Sequence, residues 1–277
     1  MISKANGEYI QVDGLKTFYV KSGDGHPLVL IHGAAPGGSC LVNWKLNIEP
    51  LAAAGFTVYA YDQPGFGFTD NPSDHSIEYR VAHVKALITA LGLERFHAVG
   101  NSVGGYIAAR LALEDKRTQS FVTTTSGSLS PEGSDKSQAL AKKHSDELRD
   151  FEPSIENMRN LTLGTIFNKE LVTDELVRER YEMSIGKNHE AQIQRRKAPR
   201  QKPVYDQLGN LRMKALLLWG NNDRGVSVER GLQLFERIPG AEFHLFDSCA
   251  HWVQWDHASR FNAIVSDFLK NNQSSLY

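Results

Sequence analysis

Short apolar runs alternate with helical stretches along most of this chain, and that alternation restricts the fold more than any other feature. Leu28-Val29-Leu30-Ile31 is apolar at four successive positions, as in a strand covered on both faces. Phe56–Tyr61, Phe96–Val99, Ser120–Thr124, Ala215–Trp219 and Glu242–Phe246 have the same β-type character. Between them the sequence predicts helices from about Val42 to Ala54, Tyr79 to Leu91, Tyr106 to Leu113, Val228 to Arg237 and Ala258 to Lys270. Repeated strand, helix, strand implies an α/β fold with a mostly parallel, doubly wound sheet, and such sheets bind ligands at the C-terminal ends of their strands. Glu8–Val12 and Leu15–Val20 flank Asp13-Gly14, a two-residue hairpin signal, so an antiparallel edge is expected at the N-terminal side. Residues 131–203 lack strand patterns and carry charged helical segments, Lys136–Arg149, Ser154–Phe167 and Thr173–Gly186. They are expected to form a helical lid inserted into a single domain spanning 1–277, with its core at about 1–130 and 204–277.

A chain of 277 residues can bury one large core. Its formal net charge of −1 leaves no basic excess to hold a phosphate backbone, so nucleic acid is not an expected partner. Met1–Gln11 has no basic segment followed by an apolar run, and nowhere do eighteen apolar residues follow one another. A cytoplasmic protein without a membrane partner is expected. Cys40 and Cys249 lie far apart without a C-x-x-C pair, and no H-E-x-x-H spacing occurs. Free packed thiols, no metal and no cofactor are therefore expected.

The chemistry centres on Gly100-Asn101-Ser102-Val103-Gly104. A β-type run enters it and an Ala- and Leu-rich helix leaves it, which places Ser102 at a strand-to-helix corner. Nearly absent side chains two positions either side let so tight a turn form, and the backbone N–H of Val103 points to where an oxyanion would develop. The small-residue loop His32-Gly33-Ala34-Ala35-Pro36-Gly37-Gly38 ends an earlier strand, and Ala34 can supply a second backbone donor. Asp223 and His251 follow the last two strands. Taken singly, Asp223 fits a turn bonding its own backbone and His251 fits a packed ring. Together with Ser102 they have the chain order of nucleophile, orienting acid and base.

These stretches resemble the α/β-hydrolase superfamily along the whole chain, and more narrowly the meta-cleavage-product hydrolases. The likeness is carried by His32-Gly33 with Pro36-Gly37, Gly100-Asn101-Ser102-x-Gly104-Gly105, Trp219-Gly220-x-x-Asp223-Arg224 and His251-Trp252-x-Gln254-Trp255. It implies a catalytic triad of Ser102, Asp223 and His251, an oxyanion hole from the N–H groups of Ala34 and Val103, and a polar subsite of Asn43, Asn101, Arg180 and Trp252 for the dienoate end. It further implies a small-molecule dienoate substrate, its carbon–carbon bond hydrolysed in aromatic degradation, and a homo-oligomer, a dimer or larger. Ala34 and Ala35 depart from the family's His-Gly-Gly-Gly-Pro loop, which alters loop geometry while keeping the backbone donors.

Arg180 stands out without the family. On a helix starting near Asp174, at 100° per residue, it falls within the apolar arc of Leu176, Val177, Tyr181, Met183 and Ser184. An inward guanidinium needs an anionic partner, either a substrate carboxylate or an internal acid, unless its stem snorkels to the surface. Met158, Leu161, Thr165, Phe167, Gly225 and Val226 are the expected wall for the C6 substituent, for which an aryl group is the expectation. A carboxylesterase would need the same triad without an internal carboxylate clamp. A non-catalytic binder of an acidic ligand would keep the clamp and not turn over.

Overall fold

In a computed structural model that describes residues 3–273, the chain forms one eight-stranded sheet in the order 1-2-4-3-5-6-7-8. The outermost ends of the expected domain, residues 1–2 and 274–277, lie outside the described residues. Strands β1 (Gly7–Val12) and β2 (Leu15–Ser22) make the expected hairpin. Asp13 and Gly14 both have positive φ, 47° and 81°, as a primed two-residue turn requires. β2 also pairs antiparallel with β4 (Phe56–Tyr61), which pairs parallel with β3 (His26–Ile31). From there every pairing is parallel.

Between β3 and β4 the expected single helix is two, α1 (Cys40–Trp44) and α2 (Ile48–Ala53). Pro50 gives the reason: it has no N–H to donate to the turn before it, so a continuous helix would lose a bond there. Helix α3 (Ile77–Ala90), capped by Ser76, leads to β5 (Phe96–Asn101), and α4 (Val103–Glu114) leads to β6 (Thr118–Thr124). After β6 come only helices: α5 (Asp135–Arg149), α6 (Ile155–Thr165), α7 (Asp174–Glu182), α8 (Lys187–Lys197) and the short α9 (Tyr205–Leu208). The sequence pattern did not disclose α8, whose residues are polar on nearly every side. β7 (Lys214–Gly220), α10 (Val228–Arg237), β8 (Glu242–Phe246), α11 (Val253–Asp256) and α12 (Ala258–Asn271) complete the chain.

Alternation along the strands divides the interior. Val29 and Ile31 face one core with α3, α4 and α10, while Leu28 and Leu30 face another with α1, α2 and α12. A third cluster joins Met158, Ile166, Leu176 and Val177 of the helical segment to Val42, Trp252 and Trp255. That cluster packs α6 and α7 against the segments that carry Val42 and Trp252. Cys40 and Cys249 are buried free thiols. Among the described residues no helix is long and apolar enough to cross a membrane.

Three fully packed imidazoles give the fold a pH signature. Burial pulls the pKa of His32 and His97 down to about 3 and that of His83 to about 4, whereas an unfolded histidine titrates near 6.5. Below that value the unfolded chain takes up protons that the native chain refuses, so stability falls as pH falls. Asp62, pushed up to about 6 by burial, acts in the opposite direction for one proton. Unfolding in urea is expected to show a native state weaker by about 4 kcal/mol at pH 5 than at pH 8. An unchanged free energy across that window would mean that these rings are solvated.

Candidate active site

Ser102 sits between the end of β5 and the first turn of α4 with φ 54° and ψ −122°, a strained conformation that its surroundings hold in place. Its N–H donates to Thr124 O at 2.9 Å, and its carbonyl accepts from Ser126 Oγ at 2.6 Å. Glycine is compulsory on both flanks. A Cβ on Gly100 would lie 2.1 Å from Gly104 O, and one on Gly104 would lie 2.1 Å from Ile31 O. Val103 is the first residue of α4, whose opening N–H groups have no acceptor within the helix.

The loop after β3 comes alongside. A Cβ on Gly33 would stand 3.4 Å from Ser102 Cβ, so Ala34 is brought to the rim of the same cavity as Val103. His32 fixes that loop from below. Its Nδ1 donates to Gly33 O at 2.6 Å and its Nε2 accepts the Gln63 N–H at 3.0 Å, an assignment consistent with a ring kept neutral by burial. Gln63 Nε2 in turn donates to His32 O at 2.5 Å.

Asp223 and His251 meet across the ends of β7 and β8. Gly220 lets the two loops cross, since a Cβ there would strike Ala250 O at 2.1 Å. Asp223 Oδ2 accepts from His251 Nδ1 at 2.7 Å, and its Oδ1 accepts the N–H groups of Gly225 and Val226 at 2.8 and 3.1 Å. Burial alone would raise this carboxyl. The imidazole and the two N–H groups outweigh it and hold the pKa below the ordinary carboxylate value. The pair is therefore poised as Asp− with the second ring nitrogen, Nε2, left for another partner. Ser102 and His251 border one cavity of about 90 Å3. Among the described residues the Ser102 hydroxyl makes no hydrogen bond, and in unliganded sites the nucleophile–base contact often closes only on substrate.

Opposite the triad candidates lies Arg180. It is fully buried, donates through Nη1 to Thr162 Oγ1 at 3.0 Å and through Nη2 to Pro36 O at 3.2 Å, and stacks 4.7 Å from the Trp252 ring centroid. Its Nε has no partner, and among the described residues no carboxylate pairs with it. Burial pulls its pKa down to about 9, so it stays cationic at neutral pH. Asn43 and Asn101 reach the same cavity, joined by an Asn43 Nδ2 to Asn101 Oδ1 bond of 3.2 Å. Gln254 Nε2 donates to Asn43 Oδ1 at 3.3 Å, and Asn101 Nδ2 donates to Thr124 Oγ1 at 2.8 Å. Both amides are thus oriented before any ligand arrives.

The cavity wall differs in part from the sequence expectation. Leu161 and Thr165 line it. Met158 is instead fully buried within the helical cluster, Phe167 is 40% exposed, and Val226 packs into the core on the α10 side. Gly225 stands behind the wall, because α5 brings the His144 ring over it. His144 and Leu148 are the residues the sequence reading missed. The His144 ring centroid is 5.9 Å from that of His251, and burial, then His251 itself, lowers its pKa. A usable signal existed: Ser137, Leu140, Ala141, His144 and Leu148 fall on one inward stripe of an otherwise exposed helix. Asp256 was also overlooked. Its carboxylate accepts from Phe167 N, Asn168 N and Ala250 N, each at 2.9 Å, and so ties the turn after α6 to the loop that carries His251.

Comparison with known proteins identifies the fold and the family. Residues 26–258 match the family model described as the alpha/beta hydrolase fold. A 2-hydroxy-6-oxo-6-phenylhexa-2,4-dienoate hydrolase of Burkholderia cepacia is 34% identical, covering 95% of each chain. A 2-hydroxy-6-oxononadienedioate/2-hydroxy-6-oxononatrienedioate hydrolase of Dechloromonas aromatica (strain RCB) is 33% identical over 92% of this chain and 91% of its own. Among solved structures, a meta-cleavage product hydrolase from Pseudomonas fluorescens IP01, complexed with acetates, superposes with a TM-score of 0.84 at 33% identity, covering 96% of this chain and 98% of that one. With such agreement along nearly its whole length, the chain belongs to the α/β-hydrolase fold family and, within it, to the meta-cleavage product hydrolases.

Proposed function

We propose that this protein hydrolyses the carbon–carbon bond of a 2-hydroxy-6-oxohexa-2,4-dienoate, giving 2-hydroxypenta-2,4-dienoate and a carboxylic acid in aromatic degradation. The observation that carries this reading is the buried, acid-free Arg180 facing the cavity of Ser102. An unpaired buried cation is costly, and a substrate carboxylate supplies the missing charge and the bidentate acceptor. In this reading Arg180, Asn43 and Asn101 hold the carboxylate and the 2-oxygen, with Trp252 stacked against the guanidinium. His251 shuttles protons as the dienol becomes its keto tautomer, the C2 hydroxyl losing a proton and C5 gaining one. Ser102 then attacks C6, and the N–H groups of Ala34 and Val103 stabilise the oxyanion. The C5–C6 bond breaks with its electron pair delocalised through the enone onto the C2 oxygen. Water finally releases the acyl group from Ser102, with His251 as base and Asp223 fixing its tautomer.

Residues 131–203 act as a lid over this site, fastened by the third hydrophobic cluster. The chain works as a cytoplasmic homo-oligomer. Its C6 substituent is aryl, received by Leu148, Leu161 and the flat ring of His144. On that reading His144→Ala lowers kcat/KM for a 6-phenyl substrate about three- to tenfold, the worth of one ring–ring contact, while a 6-methyl substrate is little affected. Equal loss on both substrates would remove His144 from the substituent's wall. The reading as a whole is tested by incubating the protein separately with a coloured ring-fission dienoate and with p-nitrophenyl esters. Dienoate bleaching supports it; turnover of esters alone makes the protein a carboxylesterase, and tight dienoate retention without turnover makes it a binder.

A further inference from the structure

A second concentration of positive charge lies away from the catalytic cavity, where the end of the lid meets the start of α3. Arg80, Arg195, Arg196 and Arg200 line a cleft there together with His75. Arg80 comes from the core and is only 7% exposed. Its Nη1 donates to Gln63 Oε1 at 3.2 Å, while its Nε has no partner. Arg195 comes from α8 and donates to Gly65 O at 2.7 Å. The two guanidinium groups share one ring, lying 5.8 and 3.7 Å from the Phe66 centroid. His75 converges on the same place: a Cβ on Gly65 would lie 3.1 Å from Arg195 Nη1 and 3.6 Å from His75 Nδ1, and that ring nitrogen is buried without a partner.

Among the described residues none of these four arginines forms an ion pair. Asp74 acts on His75 and Asp150 on Arg196, yet Asp74 is engaged by the Ser76 N–H and Asp150 by Arg149. Arg80 and Arg196 depress the pKa of Arg195 below its ordinary value, after burial itself, so the groups lie close enough to repel. Clustered cations of this kind are held at an electrostatic cost, which an anion with more than one charge relieves. A planar monocarboxylate fits a single guanidinium fork. Several guanidinium groups arriving from two sides of a cleft, beside the N-terminus of the fourteen-residue α3, suit a tetrahedral dianion.

We propose that this cleft binds a phosphate-class anion, either inorganic phosphate or the phosphoryl group of a small molecule, and that the bound anion clamps the lid to the core. This is independent of the reaction at Ser102. It nevertheless reaches the loop beside that residue, because Gln63, which Arg80 holds, is bonded to His32.

The test is calorimetric and thermal titration of the full chain with inorganic phosphate, and in a parallel arm with phenyl phosphate, at an ionic strength held constant with chloride. Saturable binding of at least one is expected, with Tm raised by about 5 °C at a hundredfold excess over Kd; the tighter ligand identifies free phosphate or phosphomonoester as the source. The double variant Arg196→Gln/Arg200→Gln alters two exposed side chains at the loss of one bond, from Arg196 Nη2 to Phe151 O at 3.0 Å, so it should fold, as an unchanged far-UV spectrum would show, and bind at least tenfold more weakly. Arg180→Gln should bind as the unmodified chain does. The proposal is overturned by a response that chloride or acetate reproduces, by unchanged affinity in the double variant, or by loss of binding in Arg180→Gln, which would put the anion in the catalytic cavity.

Discussion

Ser102→Ala is expected to lower kcat for the dienoate by about 10⁴- to 10⁶-fold, the scale seen when a serine nucleophile is removed from an intact triad. The large figure follows from what remains. Asp223 and His251 stay paired at 2.7 Å, and the loop bearing Ala34 stays in place, so binding persists while the covalent route disappears. Because the Ser102 hydroxyl makes no hydrogen bond among the described residues, its removal should leave Tm nearly unchanged. Stopped-flow turnover alongside equilibrium binding of the dienoate separates the two effects. A variant within tenfold of the unmodified rate would strip Ser102 of its nucleophilic role.

Arg180→Gln has the second largest expected effect, and its signature is less common: activity falls while stability does not. Two charge-assisted bonds to a substrate carboxylate are worth enough that kcat/KM for the dienoate should drop about 10²- to 10³-fold. A neutral p-nitrophenyl ester, which offers no carboxylate, should be cleaved within about threefold of the unmodified rate if the protein accepts it at all. The guanidinium is fully buried and unpaired by any described acid, so exchanging it for a neutral amide removes a desolvation cost, and Tm should hold or rise. Parallel losses on ester and dienoate would show that Arg180 supports the site's shape rather than anchoring the acid.

Much of the architecture is legible in the sequence because its signals are local. Asp13-Gly14 demanded a primed turn, the apolar quartet at Leu28–Ile31 demanded cover on both faces, and the glycines around Ser102 demanded a sharp corner; each is met. Arg180 was legible for the same reason, since the spacing within one helix shows which way a side chain turns. What escaped depends on contacts between distant segments. Nothing near Asn43 announces that Gln254 will orient it, and α5 carries so few apolar residues that His144 looks solvated until the helix is laid across Gly225. Met158 and Phe167 share a helix-sized stretch with Leu161 and Thr165, yet a turn at Ile166 sends one ring outward and packing draws the thioether into the cap.

The carboxylate of Asp256 has a mechanical meaning. It grips the corner at Phe167 and Asn168 with both oxygens, and one of them, Oδ2, also accepts the N–H of Ala250, one residue before His251. If residues 131–203 form the proposed lid, a roof that swings up at that corner must either break these bonds or drag the imidazole along with it. On that reading, admission of a molecule and readiness to cleave it are tied to one rivet.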